Sequence, residues 1–285
     1  MTSHRLDFLP LGSAPRPTTG DDLAARLRRV LVEAAGPAVQ GLDRAPIVAQ
    51  LDGADVASLE VDLTGVAFGT SQHKPDARRF ASPPAARREE ATARRVRVDA
   101  HPLTAVDLPV DVTAEAEGLR FAWVEGTDGS VGIQPIEPDD AHPVAGHARV
   151  AVDRRGLVGT LHGILAVALS SQGVQLTDLD VQIDSHGPRS ASVRVDAKVR
   201  KSFLSASVEA VASAAVRDDM VLEVGDVRLS SGNPLVAAML GMARARVEAV
   251  ANRRIDLQAA LPPGVRLVDV RLDAGEQLVL SARLG

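Results

Sequence analysis

Cysteine is absent from the 285 residues, and so is tyrosine. The first absence excludes disulfides, thiolate nucleophiles and cysteine-ligated metal, and leaves the redox compartment open. The second is part of a general scarcity of aromatics, with one tryptophan, Trp123, and five phenylalanines. Stacking platforms for bases are correspondingly few, which argues against single-strand nucleic-acid binding. Positive charge is not in excess either. The 32 Lys and Arg residues against 37 Asp and Glu give a net charge of −5 and a pI near 5.8. That is not the basic footprint of a nucleic-acid partner, and none is expected. No apolar run reaches the roughly 18 residues that a membrane helix needs. The opening MTSHRLDFLPLGSAPRPTTG has no basic region followed by an apolar core. No signal peptide is therefore expected, and the expected location is cytoplasmic, with transient contact at a membrane surface.

Recognisable catalytic motifs are missing as well. There is no G-x-S-x-G, no P-loop Gly-Lys-Ser/Thr, no G-x-G-x-x-G and no H-E-x-x-H. His142 and His147 with Asp139 and Asp140 have a spacing that could hold a metal, but in a proline-containing connection ordinary surface polarity is the better reading. His162 lies within an apolar helical stretch and reads as a core or rim histidine. Ser170, Ser171, Ser230 and Ser231 sit at element ends, where serine serves turns and caps. No catalytic residue, metal ligand or cofactor is expected, and nothing sets an oligomeric state.

What the chain does have is apolar mass in Ala, Val and Leu, patterned into helices and alternating strands. The clearest helix is Asn233–Arg254, with Asn233 as N-cap, Pro234 at the first position and Arg244, Arg246, Arg253 and Arg254 in its second half. Most of its circumference is apolar or small, so it needs wrapping. A second helix over Arg155–Ser171, capped by Asp153, is nearly apolar all round and carries Gly156, Gly159 and Gly163 on a groove. A third over Asp21–Ala35 follows the capping pair Thr19 and Asp22. Strands fill most of the remainder. The best alternation sets Val193, Val195, Ala197 and Val199 against Arg194, Asp196, Lys198 and Arg200, one buried face and one wet face.

The expected organisation is a tail over 1–19, a first half over 20–140 with a long polar loop at 70–95, and a second half over 141–285. That loop could act as a basic flap through Arg78, Arg79, Arg87, Arg88, Arg94 and Arg95. A short pattern recurs: LTGVAF at Leu63, LTDLDV at Leu176, VGDVRL at Val224 and LVDVRL at Leu267. Each copy slips phase at an Asp or Gly, which predicts bends at Gly65, Asp178, Asp226 and Asp269.

These bulged strands, and the apolar helix leading to LPPGVRLVDVRL (261–272), resemble the LmeA-like domain-of-unknown-function family of actinobacteria. That family is similar in fold to the tubular lipid-binding (TULIP, BPI-like) superfamily. The resemblance covers roughly Gly146–Gly285 and is fainter over Asp21–Pro135. It implies an α+β fold in which a highly curved antiparallel sheet wraps two or three long apolar helices. It also implies an apolar tube for lipid. The missing export signal departs from the family, and the phosphatase activity associated with it maps onto no motif here.

The expected function is binding, and transport, of a lipid or other hydrophobic small molecule. The expected lining is Leu157, Leu161, Ile164 and Leu165 from the second helix, with Leu235, Met239, Leu240 and Met242 from the Asn233 helix. The alternatives are a lipid-directed hydrolase or phosphatase, and a non-enzymatic scaffold with a filled core.

Overall fold

A computed structural model describes residues 8–69, 80–105, 107–170, 174–201, 204–232, 253–261 and 265–285. The chain opens with β1 (Leu9–Ser13), α1 (Gly20–Ala35), β2 (Val39–Gln40), β3 (Ile47–Asp52), β4 (Asp55–Asp62) and β5 (Ala67–Phe68). The long strands β6 (Ala85–Ala105) and β7 (Leu108–Gly126) follow, then β8 (Ser130–Pro135), β9 (Ala145–Asp153) and α2 (Arg154–Ser170). The remainder is β10 (Gln175–Gly187), β11 (Ser190–Lys201), β12 (Leu204–Val216), β13 (Val221–Ser231), β14 (Arg253–Asp256), β15 (Leu267–Ala274) and β16 (Gln277–Leu284).

Strand accounts for 63% of the structure and helix for 15%, with two α-helices among the described residues. This corrects the expected curved antiparallel sheet around two or three long apolar helices. The larger sheet is mixed, because β4 and β5 both pair parallel with β6. α1 buries one stripe, Leu23, Ala24 and Leu27, with Val30 and Leu31 packed half-buried against the same core. The Asn233 helix falls largely on residues outside those described, and its last two residues, Arg253 and Arg254, belong to β14.

Two compact units divide the chain. The first is Met1–Val150 with Ala259–Asp269 and Ala282–Gly285; the second is Ala151–Gln258 with Val270–Ser281. The first unit carries most of an eleven-stranded mixed sheet, in which β7, β6, β4 and β3 are successive neighbours. α1 packs on β3 over a core of Leu11, Leu23, Ile47, Val56, Phe121 and Trp123. Thr19 caps α1 by accepting from the Asp22 N–H at 3.3 Å, and the helix ends at Gly36, whose φ of +69° suits glycine.

Residues 80–95 correct the expected loop, since Ala85–Arg95 is the first half of β6 and pairs with β7 from Gly126 back to Glu117. The segment AARREEATARR has little β propensity of its own. Ion pairs with neighbouring strands offset that. Arg95 is forked onto Glu115 through two 2.9 Å hydrogen bonds, and Arg94 reaches Asp52 at 2.8 Å and Asp55 at 3.0 Å. The arginines Arg87, Arg88, Arg94 and Arg95 are thus neutralised within the sheet instead of being offered to an anionic surface. Arg78 and Arg79 lie outside the described residues.

These bonds carry a pH dependence. The Thr92 backbone N–H donates to Asp55, and with Arg94 beside it holds the Asp55 carboxyl below the usual carboxylate range. Arg97 does the same to Asp99, and hydrogen bonds from Thr64 to Asp62. A carboxyl depressed in the fold adds stability above its unfolded pKa of about 3.9, and that stability is lost as pH falls through the lower folded value. Acid titration monitored by circular dichroism should therefore show stability flat above about pH 5 and falling below pH 4. Asp55→Asn should flatten part of that fall; an unchanged profile would remove Asp55 from the account.

The second unit holds an antiparallel five-stranded sheet in the order β10-β11-β12-β13-β14. Its register sets Val181 opposite Val195 and Val195 opposite Ala210, so one apolar face runs across three strands. The opposite face is charged, with Arg194, Asp196, Lys198 and Arg200 exposed, as the alternation predicts. Register shifts fall between Leu176 and Asp178 on β10, and opposite Val211 to Ser213 where β13 passes through Asp226. The predicted bulges are present there. At Gly65 the chain leaves the sheet between β4 and β5 with a φ of +79°.

Candidate functional site

α2 starts immediately after β9, and its start is fixed by three bonds. Asp153 caps it, its Oδ1 accepting from the Gly156 N–H at 2.8 Å. The Arg154 N–H donates to the Glu276 carbonyl at 3.1 Å, which ties the helix to the tip of the β15–β16 hairpin. The Arg154 Nη2 donates to the Val181 carbonyl at 3.0 Å, which ties it to β10. All of these residues belong to the second unit.

Those ties hold open a cleft of about 1010 Å³ between the first half of α2, β10 and the hairpin tip. That matches the upper end of the usual range for small-ligand pockets, about 300–1,000 Å³. Its apolar floor is Val158, Val181 and Ile183, of which Val181 is 1% exposed. Gly159 opens it: a Cβ placed there would meet nothing within 4 Å. Arg155, Val158, Gly159 and His162 follow the i, i+3, i+4, i+7 spacing and so share one helix face.

The charged groups around this floor fall into two sets. Arg154 and Asp153 are engaged as above, and Asp180 accepts from Gln182 Nε2 at 3.3 Å. Arg155, His162 and Glu276 line the same cleft with no side-chain partner among the described residues.

Of the expected lining residues, Leu157 is half-buried on α2 and is not part of the cleft wall. Leu161, Ile164 and Leu165 lie on α2, but their side chains are outside those described, and Leu235, Met239, Leu240 and Met242 are outside the described residues altogether. Of the two groove glycines that could admit a guest, the structure places Gly159 in the cleft, whereas Gly163 is outside its wall. The residues that sequence reasoning missed are Arg155, Asp180 and Glu276. The Asp273-Ala274-Gly275 turn signal was visible, but nothing in it says which helix the tip will meet.

Of the described histidines, His186 Nε2 lies 2.7 Å from Ser192 Oγ between paired strands. His142 Nδ1 lies 2.9 Å from Asp139 Oδ1 on an exposed connection, and His142 holds the Asp139 carboxyl below its usual range. Among the described residues no group of three or more His, Cys, Asp or Glu side chains could hold a metal ion. Ser230 donates to Glu209 and Ser231 to the Ser207 carbonyl, both structural bonds along the sheet. No described helix is long and apolar enough to cross a membrane. No family model matches the chain, and neither a curated protein nor a solved structure matches it.

Proposed function

We propose that the protein binds, and carries, a lipid or similar hydrophobic small molecule in the cleft beside α2. The observation that carries this reading is the apolar floor of Val158, Val181 and Ile183 next to Gly159, where a helix that could have been filled is left open. Each methylene buried there is worth about 0.8 kcal/mol, so a chain ligand needs no strong polar anchor. The resemblance to the LmeA-like family points to the same ligand class. The absence of recognisable catalytic motifs favours binding over turnover.

Two leucine variants test it. Leucine has a better helix propensity than glycine by roughly 0.8 kcal/mol, and neither Gly159 nor Gly163 has a neighbour in the way. Gly159→Leu and Gly163→Leu should therefore both keep or raise the melting temperature. Only Gly159→Leu should abolish binding of a fluorescent monoacylglycerol. Loss of binding in both variants, or in neither, would sink the assignment to this cleft. Mass spectrometry of an organic extract of the purified protein would identify any resident ligand, and cell fractionation would check the cytoplasmic location expected from the sequence.

A further inference from the structure

We infer that the cleft selects a single-chain amphiphile with a zwitterionic headgroup, one that carries an anionic and a cationic group together. This rests on the reading that the cleft takes a chain-like ligand. Among the described residues five formally charged side chains line the cleft: Arg154 and Arg155 against Asp153, Asp180 and Glu276. His162 completes the set. Charges so nearly balanced set up little net field at the mouth, so a ligand with net charge of either sign gains little from long-range attraction.

The local picture is different. Asp153 is spent on the helix cap, Arg154 on the Val181 carbonyl and Asp180 on Gln182. Among the described residues that leaves one guanidinium without a side-chain partner, Arg155 on the helix wall, and one such carboxylate, Glu276 on the hairpin tip. They line one cleft and form no ion pair with each other. A monoanionic head could pair with Arg155 but would also face Glu276 and Asp180. A monocationic head could pair with Glu276 but would face both arginines. A head with both charges satisfies each free group with its opposite, while its chain lies on Val158, Val181 and Ile183. His162, one helix turn beyond Gly159, extends the polar edge on the helix side.

The test is calorimetric titration of the full chain with four ligands of equal chain length, each below its micelle concentration. They are lysophosphatidylcholine (zwitterionic), a monoacylglycerol (neutral), a fatty acid (anionic) and an alkyltrimethylammonium (cationic). Lysophosphatidylcholine should bind tightest. Arg155→Gln and Glu276→Gln should each weaken it by about threefold, the scale of an exposed ion pair, and leave the monoacylglycerol unchanged. Glu276→Gln should also strengthen fatty-acid binding. Equal binding of all four ligands, with both variants silent, would overturn the headgroup inference and leave the cleft reading standing. Tightest binding by the fatty acid or the ammonium would overturn it too. Binding of none of the four would overturn the cleft reading itself.

Discussion

Trp123→Ala is expected to lower stability by about 3–5 kcal/mol, a large share of the roughly 5–15 kcal/mol that holds a folded domain. Trp123 is 2% exposed and stands edge-on to Phe121 with ring centroids 5.1 Å apart. Its Nε1 donates to the Ala54 carbonyl at 2.8 Å, which pins β7 to the β3–β4 turn across the intervening β6. The Arg16 guanidinium lies 5.8 Å from the ring centroid and is itself bonded to Glu89 at 3.0 Å. Alanine removes the ring, the cation–π contact and the donor at once. Trp123→Phe keeps most of the volume but still leaves the Ala54 carbonyl without its donor, so a smaller loss of about 1–3 kcal/mol is expected. Urea unfolding monitored by far-UV circular dichroism separates the two variants. Equal, small losses for both would show that the ring is not a packing centre.

Gly20→Val is expected to cost about 3 kcal/mol, at the upper end of overpacking. Gly20 is the first residue of α1, where a side chain would ordinarily favour the helix. Here the Cβ direction points at β3: a Cβ on Gly20 would overlap the Ala49 carbonyl oxygen and lie 2.7 Å from its carbon. Backbone in a sheet cannot give way as a flexible side chain can, so the clash outweighs the gain in helix propensity. The variant should lose the α1–β3 contact first, seen as faster amide exchange in α1. Gly159 is the opposite case, a helical glycine with nothing opposite it, so the same kind of substitution has the opposite sign there.

Local signals were legible in the sequence where they rested on neighbouring residues. Thr19 and Asp153 were readable as caps, and Thr127-Asp128-Gly129 as the β7–β8 turn, where Gly129 takes a φ of +79°. The alternation in β11 predicted its two faces. What was not legible depended on partners distant in sequence. Ala85–Arg95 reads as a polar connection because its stabilising carboxylates, Asp52, Asp55 and Glu115, lie on other strands. The parallel pairing of β4 with β6 leaves no mark on either segment. The same holds for the cleft. Gly159 could be flagged from α2 alone, but Asp180 and Glu276 become its neighbours only once β10 and the hairpin tip are in place.

The two partners of β6 also set an order of assembly. β7 begins just after β6 ends at Ala105, so this hairpin can zip from a local turn in about 1–10 μs. β4 joins β6 in parallel, Leu59 beside Val96 and Asp62 beside Asp99, and no tight turn can close such a pair. It must await closure of a longer loop, which is slower. In that interval the flank of β6 that β4 will occupy is a bare edge, open to strands of other chains. Arg94 lies along the same stretch, and its carboxylates come with β3 and β4. Before Asp52 and Asp55 arrive, its charge repels a second copy of that edge, so a residue that later binds the sheet together first acts as a gatekeeper against aggregation.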